Sequence, residues 1–473
     1  MTSDRSPLAS CQLPITTHQL PTTLQLKVIV IGGGAAGFFS AIACAENHPH
    51  TQVTLLEAGR QPLTKVLISG GGRCNVTHAC FDPAALVQNY PRGGKALRGA
   101  FTRFQSQDTV DWFTRRGVQL KTEADGRMFP ITDNSETIIE CLIHAAAKAG
   151  VKIRNNAPVA AVSYVESREE GQGDKGTRGQ GDKGDKGDKG DNYQLPITNS
   201  PLPITHYPKF EVELKSGEVL ECDRLLLATG SNVAGYRIAR SLGHQIEPPV
   251  PSLFTFNVLD KSLRELAGVS MNPVHLRLLT DSKTKLEQTG ALLITHWGLS
   301  GPAVLKLSAW GARALHDCHY QAKLLVNWLP ELDRETLRSQ ILSVKTAQPK
   351  KAIASYRGVN VLPHRLWQYI IVRAGIAPED RWAGISNKEI DRLIQEIAQA
   401  EYLIQGKGAF KEEFVTCGGV NLKEVDFKTM QSKLVPGLYF AGEILDIDGV
   451  TGGFNFQSAW TTAWLAGQAM GNS

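Results

Sequence analysis

The sequence predicts an α/β fold, in which a parallel-sheet domain is built from the two ends of the chain and a second domain is inserted between them. Three observations predict it. An apolar strand at residues 27–31 runs directly into a glycine-rich turn and a helix. From about residue 249 to residue 410, the pattern changes to short strands followed by helices. A buried strand, a glycine turn and a long apolar helix then return near the C-terminus.

The glycine-rich turn has the spacing G-x-G-x-x-G, formed by Gly32, Gly34 and Gly37. Gly32 is suited to the tight turn, Gly34 to close approach of backbone N–H groups to a pyrophosphate, and Gly37 to close packing of the helix on the strand. Ala35 and Ala36 begin that helix, whose N-terminus carries a partial positive charge. The segment therefore predicts a Rossmann-like dinucleotide-binding domain.

A second apolar strand, residues 53–56, ends at Glu57. An acid at this place accepts hydrogen bonds from ribose hydroxyls, and its charge repels the extra phosphate of an NADP-type ribose. These features do not separate NAD from FAD, so the choice depends on the C-terminal segment.

The C-terminal segment favours FAD. Residues 437–443 read as a strand that ends in glycine and an acid, and an apolar helix begins near residue 453. A buried flavin commonly requires a second strand end for its ribityl chain and a helix N-terminus for the pyrimidine end of its ring. The expected cofactor-binding residues here are Gly442, Glu443, Asp446, Gly453, Asn455 and Phe456.

Several further motifs resemble those of one known family. They are Lys65, S-G-G-G-R-C-N at 69–75, Phe129-Pro130, A-T-G at 228–230, T-H and G-L-S-G-P within 295–302, G-E-I-L-D at 442–446, and Gly452-Gly453. The chain resembles the BaiN/YhiN-like flavoproteins, catalogued as NAD(P)/FAD-dependent oxidoreductases within the glutathione-reductase-type FAD superfamily. The resemblance runs from Lys27 onward, apart from one insertion. It departs at His78, where family members usually carry Asn, and at a shorter loop, residues 231–236.

The S-G-G-G-R-C-N segment supplies three more candidate residues. The glycines would bring the backbone against the ligand, so Arg73 is expected to contact a phosphate or the flavin, and Asn75 to donate to a ring carbonyl. Cys74 is expected to pack beside the flavin, with a redox-active thiol as the alternative, although its spacing to Cys80 is wider than flavin disulfide reductases use.

The resemblance also implies a contact of the Val159 backbone with adenine, and close approach of the cofactor or a loop at Gly230. It further implies that the inserted domain is a small β-barrel bearing a helical lobe. We expect strands at residues 254–258, 274–279, 291–295 and 322–326, and helices at 334–344, 365–374 and 387–399. The predicted domains are a disordered tail at 1–26, a first FAD-binding part at 27–248, an inserted substrate or cap domain at 249–410 with its lobe at about 331–405, and a second FAD-binding part at 411–473.

Residues 167–208 form a low-complexity insertion with Gly-Asp-Lys repeats, for which we expect disorder. Its removal would join the strand-like runs 159–165 and 209–214 as an antiparallel hairpin.

Composition narrows the class of partner. The net charge of +5 is spread along the chain without a dense Lys/Arg run, so no nucleic-acid partner is expected. The eight cysteines show no paired spacing, which indicates reduced thiols and a cytoplasmic protein. The 12 histidines include no H-E-x-x-H motif, and no apolar run reaches the roughly 18 residues of a membrane helix, so neither metal nor membrane is expected. The sequence leaves the oligomeric state open.

We therefore predict an FAD-dependent oxidoreductase that transfers hydride between flavin N5 and an unidentified small organic substrate. NAD(P)H is a possible transient donor, because only one dinucleotide fingerprint is visible. The catalytic residues are unknown; His296 is a candidate proton donor, with a structural histidine as the alternative, and Arg127 is a candidate for a substrate carboxylate. Two alternatives stay open: an FAD-dependent tRNA-modification or nucleic-acid-associated flavoprotein, and a noncatalytic FAD-binding protein.

Overall fold

A computed structural model describes residues 25–165, 209–280, 285–408 and 415–472. The predicted insertion at 167–208 lies outside these residues, as does the predicted tail except for residues 25 and 26. The start of the second FAD-binding part, residues 411–414, also lies outside them.

The helices occupy both ends and the middle of the chain. They are α1 (Ala35–Asn47), α2 (Thr64–Gly72), α3 (Pro83–Leu86), α4 (Gly94–Phe101), α5 (Ser106–Thr114), α6 (Glu136–Lys148), α7 (Val233–Ser241), α8 (Lys261–Arg264), α9 (Pro302–Trp310), α10 (Ala312–Asp317), α11 (Arg334–Ala347), α12 (His364–Arg373), α13 (Asn387–Ala398) and α14 (Phe454–Met470).

The strands alternate with these helices. They are β1 (Lys27–Ile31), β2 (Gln52–Leu56), β3 (Thr77–His78), β4 (Leu120–Thr122), β5 (Arg127–Pro130), β6 (Lys152–Arg154), β7 (Val159–Val165), β8 (Lys209–Leu214), β9 (Val219–Cys222), β10 (Arg224–Leu227), β11 (Ile246–Ser252), β12 (Phe256–Val258), β13 (Ser270–Leu279), β14 (Leu286–Thr295), β15 (Gly298–Ser300), β16 (Gln321–Asn327), β17 (Ala400–Lys407), β18 (Val415–Val420), β19 (Val425–Asp426), β20 (Gln431–Ser432) and β21 (Leu438–Phe440).

The central sheet unites the two ends of the chain. Its order is β19-β20-β21-β10-β1-β2-β6, and the strands from β21 to β6 are parallel. Residues 28–31 and 225–227 are buried, because α1 and α14 pack against the sheet and strands β8 and β9 also contact it. The expected return of β10 and of the C-terminal strand to the first sheet is confirmed.

The inserted segment forms a closed barrel of order β12-β15-β14-β13-β16-β17, with α11, α12 and α13 beside it. The expected barrel with a helical lobe is confirmed. The lobe does not extend to residue 405, however, since α13 ends at Ala398 and β17 follows. The alternation of buried Ala400, Tyr402 and Ile404 with exposed neighbours makes this segment a strand, and it closes the barrel.

Three smaller antiparallel sheets complete the fold, one of which has the order β3-β5-β4. Strands β7 and β8 pair from Val159↔Leu214 to Val165↔Lys209, which confirms the predicted hairpin, and β9 adds a third strand. Strands β11 and β18 pair where the chain enters and leaves the barrel segment. Of the helices in the described ranges, none combines the length and apolar character needed to cross a bilayer.

Candidate cofactor and active site

The three glycines of the first motif have different surroundings. Gly32 has a φ of +115°, and a Cβ atom there would lie 2.4 Å from the Ala228 carbonyl oxygen. A Cβ on Gly37 would lie 1.8 Å from the Gly32 carbonyl oxygen, so α1 packs directly on the turn. A Cβ on Gly34 would meet nothing within 4 Å. The turn and the packing therefore exclude side chains, and the open side of Gly34 leaves room for a ligand at the N-terminus of α1.

Glu57 lies at the end of β2, beside this turn. Its carboxylate accepts hydrogen bonds from the Gly33 N–H at 2.9 Å and the Gly59 N–H at 2.6 Å. The Ala157 N–H donates to the Glu57 carbonyl at 2.8 Å, two residues before Val159 begins β7. The chain that leads into β7 at Val159 therefore passes beside Glu57 at the end of β2; the expected ribose and adenine contacts themselves stay predictions.

The C-terminal segment meets α1 at Gly442. A Cβ on Gly442 would lie 2.7 Å from the Cβ of Ala36, and the Gly442 N–H donates to Thr462 Oγ1 at 3.0 Å. Close contact with the first turn of α1 thus requires a glycine here, where φ is +76°.

Glu443 joins two further segments at the same place. Its carboxylate accepts hydrogen bonds from Lys65 Nζ at 2.9 Å and from the Thr416 N–H at 3.0 Å. A Cβ on Gly230 would lie 3.6 Å from Glu443 Oε2. The A-T-G segment, α2 and the C-terminal segment therefore converge beside the N-terminus of α1.

Asp446 carries a buried atom without a hydrogen-bond partner, Oδ1. Burial raises the pKa of this carboxyl group; Asp448 adds to the effect, and Arg313 and Arg92 oppose it. A buried oxygen without a partner is costly, and a hydroxyl donor from a ligand would satisfy it.

Asp448, two residues further on, is fully buried and is held by Arg92 and by the Ser252 hydroxyl, which donates to Oδ2 at 2.7 Å. Sequence reasoning missed the Arg92–Asp448 pair. The repeated aspartate in D-I-D was its only signal.

The S-G-G-G-R-C-N segment contacts Gly453, at the start of α14. In the amide orientation that satisfies both neighbours, the Asn75 nitrogen donates to the Thr77 carbonyl at 3.0 Å, and its oxygen accepts from the Gly453 N–H at 2.9 Å. A Cβ on Gly453 would lie 2.4 Å from the Thr77 carbonyl oxygen. The N-terminus of α14 is thereby fixed against the segment predicted to face the flavin ring.

The observed contacts of Arg73 and Cys74 are with other protein groups. The Arg73 guanidinium pairs with Glu123 at 2.6 Å and Asp133 at 3.5 Å, and lies 4.0 Å from the Phe129 ring centroid. Its charge is thus balanced within the β4–β5 hairpin, and a phosphate contact stays a prediction. Cys74 is completely buried, and burial raises the pKa of its thiol to about 12. A thiolate there is strongly disfavoured, which supports the packing role over the redox role.

The remaining candidates are occupied or peripheral. Asn455 exchanges two 2.8 Å hydrogen bonds with the Gly449 backbone, so its amide holds the loop before α14, and Phe456 stacks on Trp460 at 5.5 Å. His296 is exposed on the turn between β14 and β15. Arg127 is paired with Asp125 at 2.7 Å and Glu123 at 2.9 Å. Cofactor roles for Asn455 and Phe456, and substrate roles for His296 and Arg127, stay predictions.

Taken residue by residue, this arrangement fits FAD. The open side of Gly34 suits a pyrophosphate, the orphan oxygen of Asp446 suits a ribityl hydroxyl, and the start of α14 suits the pyrimidine end of the ring. Among the residues that the structure describes, no cluster of three or more His, Cys, Asp or Glu side chains could hold a metal ion.

Comparisons with known proteins agree with this arrangement. Residues 26–179 match the HI0933-like protein Rossmann domain, and residues 250–415 match the HI0933-like protein barrel and H2TH domain. The chain is 29% identical to a ribosomal RNA dihydrouridine synthase of Escherichia coli, over 94% of this chain and 98% of that protein. A protein of the same description from Haemophilus influenzae is 29% identical over 92% and 96%. A 3-dehydro-bile acid delta(4,6)-reductase of Clostridium scindens is 27% identical over 94% and 98%.

Proposed function

This chain belongs to the HI0933-like family of flavin-dependent oxidoreductases, and from that premise we propose that it reduces a carbon–carbon double bond conjugated to a carbonyl group. The observation that carries the cofactor assignment is that three segments distant in the chain meet. The first turn of α1 contacts the C-terminal segment at Gly442, and Asn75 bonds Gly453 of that same C-terminal segment. Such convergence builds a cradle for one long ligand, because each segment alone offers only one or two contacts.

Each part of the chain has a distinct task in this proposal. The N-terminus of α1 holds the pyrophosphate, Glu57 the ribose and Asp446 the ribityl chain. The N-terminus of α14 faces the pyrimidine end of the ring, where its partial positive charge stabilises negative charge. Bound FAD supplies hydride chemistry at N5, and the protein supplies orientation and exclusion of water.

The proposed substrate class rests on what the relatives' activities have in common. A dihydrouridine synthase saturates a double bond of uridine, and a delta(4,6)-reductase saturates double bonds of a 3-dehydro-bile acid. In both substrates, a carbonyl group polarises the double bond. Hydride adds to the carbon remote from the carbonyl, and a proton adds to its neighbour, so that two electrons and two hydrogens are taken up. NAD(P)H is the proposed donor.

Anaerobic reduction of the purified protein tests this function. Acid should release a flavin that runs as FAD, and NADH or NADPH should bleach its absorbance. Reoxidation by a cyclic enone, with the saturated ketone as product, would support the proposal. Release of FMN alone would contradict the proposal, and so would reduced flavin that is reoxidised only by imines or by unconjugated aldehydes and ketones.

His296 is the proposed proton donor in this step. His296→Gln should then lower turnover about 10²-fold while FAD binding is unchanged. His364→Gln, a change at an exposed histidine of the lobe, serves as the control. Equal turnover of wild type and His296→Gln would remove His296 from the mechanism.

A second candidate function is reduction of a uracil base in structured RNA. The two relatives described as ribosomal RNA dihydrouridine synthases favour it. In the lobe, Arg338 and Arg373 form ion pairs with acidic side chains. Three other basic residues of the lobe are exposed: Lys350, Lys351 and Arg381. A β-bridge between Ala352 and Arg381 brings their two segments together. This small basic cluster suits phosphate contacts. The expectation that nucleic acid plays no part therefore stays a prediction.

A charge reversal separates the two candidates. Changing Lys350, Lys351 and Arg381 together to Glu should abolish reduction of uridine in ribosomal RNA, measured by mass spectrometry of nucleosides, and spare enone reduction. A matched triple change at exposed Lys95, Arg98 and Lys152 is the control. No dihydrouridine with wild-type protein and RNA would reject the RNA candidate and leave the small-molecule one.

A further inference from the structure

The loop before α14 is held by a histidine from another part of the chain. His78 Nδ1 lies 2.9 Å from the Gly452 carbonyl oxygen. Because a carbonyl only accepts, Nδ1 carries the hydrogen, and Nε2 is the position that gains a proton in acid. The imidazole ring also stacks on Phe454, the first residue of α14, with 4.5 Å between the centroids and 28° between the planes.

The opposite side of the ring is equally close-packed. A Cβ on Gly126 would lie 2.5 Å from His78 Nε2, so only glycine in the turn before β5 leaves room for the ring. His78 is thus clamped between that turn and the start of α14.

We propose that His78 is a positioning residue for the bound flavin: its Nδ1–H holds the Gly452–Gly453 turn, and its protonation adds a positive charge that stabilises the reduced flavin. The inference rests on the proposed function, because it places the pyrimidine end of the ring at the start of α14. In the sequence, His78 stands out only as a departure from the family pattern.

The charged groups around His78 set the pH range. Asp125 and Arg127 face it from the turn and strand β5, and Lys306 faces it from α9 of the barrel segment. Burial lowers the pKa of His78, and Lys306 and Arg127 act in the same direction; the Gly452 carbonyl and Asp125 oppose them. The pKa of His78 therefore lies below that of an ordinary imidazole, and the ring gains its charge in more acidic solution than a free histidine does.

Two variants test the two roles. His78→Asn keeps an N–H donor but carries no charge, and His78→Phe keeps a stacked ring but loses the donor. The midpoint potential of bound flavin in His78→Asn should match wild type at pH 8 and fall below it at pH 5.5. The expected difference is about tenfold in the redox equilibrium, or about 30 mV for a two-electron couple. His78→Phe should weaken FAD binding about tenfold at both pH values.

His48→Asn is the matched control. His48 Nε2 bonds the Gln468 carbonyl at 3.0 Å, near the other end of the same helix, so its loss should leave both potential and affinity unchanged. The charge role would be overturned if the midpoint potentials of wild type and His78→Asn changed in parallel with pH. It would also be overturned if His48→Asn changed the midpoint potential as much as His78→Asn does. Unchanged FAD affinity in His78→Phe would overturn the positioning role. A wild-type protein that binds no FAD would instead reject the proposed function.

Discussion

The Lys65 ammonium lies 2.9 Å from the Glu443 carboxylate, although 378 residues separate them in the chain. Lys65 also donates to Ser231 Oγ at 3.3 Å. These contacts join α2, the loop after β10 and the turn after β21, which are the segments that frame the proposed pyrophosphate site. The ion pair therefore lies beside the proposed pyrophosphate site.

Lys65→Met should change the free energy of unfolding of the cofactor-free protein by less than about 1 kcal/mol, because the Lys65 side chain is 59% exposed and an exposed pair is screened by water. If Lys65 also contacts a phosphate, Lys65→Met should weaken the free energy of FAD binding by more than about 1 kcal/mol. Chemical denaturation and FAD titration measure the two quantities. Lys95→Met on α4 is the control, and equal FAD affinity in both variants would remove Lys65 from the site.

Gly34→Val should abolish FAD retention without unfolding the protein. No protein atom lies within 4 Å of a Cβ at this position, so the side chain fills only the space predicted for the pyrophosphate. Gly99→Val makes the same change at another uncrowded glycine, in α4. Circular dichroism should show both variants folded, and only Gly34→Val should purify colourless. A yellow Gly34→Val protein would place the pyrophosphate elsewhere.

Asp446→Asn should lower FAD affinity about tenfold. Hydrogen bonds to a charged group contribute ~1.5–3 kcal/mol, and those to a neutral group ~0.5–1.5 kcal/mol. Isothermal titration with FAD measures the loss, and Asp317→Asn at an exposed site is the control. Identical affinities would indicate that the orphan oxygen of Asp446 serves another ligand.

Asp446→Asn should also alter the pH dependence of the free energy of unfolding of the cofactor-free protein. The folded-state pKa of Asp446 is raised above its unfolded value, so the contribution of Asp446 to stability is fully present below the unfolded pKa, near 4, and is lost as the pH rises through the folded value. Asp446→Asn should therefore gain stability relative to wild type as the pH rises from 4 to 7. A constant difference in melting temperature across this range would contradict the assignment.

Deletion of residues 166–208 should preserve folding and FAD binding. The last register pair of the hairpin is Val165↔Lys209, so the two strand ends are adjacent and an Asn-Gly turn can join them. Soluble expression and the flavin-to-protein absorbance ratio measure the outcome. Loss of soluble, flavin-loaded protein would show that the segment has a structural task.

Local pattern in the sequence was enough to predict the first two parallel strands of the cofactor domain and the helix between them. The run from β1 through the glycine turn into α1, and the strand that ends at Glu57, follow from residues close together in the chain. Their apolar periods and the glycine spacing are local, so the printed sequence is sufficient to predict them. The barrel was expected from the family resemblance, and β17 was hidden because its short alternation follows a helix without a break.

The tertiary structure alone decided which side chains form ion pairs and hydrogen bonds with each other. The Arg73 guanidinium pairs with Glu123 and Asp133, while its expected contact with a phosphate or the flavin stays a prediction. Asp446 is left with an orphan oxygen, while Asp448, two residues away, is satisfied by Arg92 and Ser252. His78 bonds the Gly452 carbonyl across 374 residues. Contacts between segments so far apart depend on how the sheet, the helices and the barrel pack together, and spacing along the chain does not contain that information.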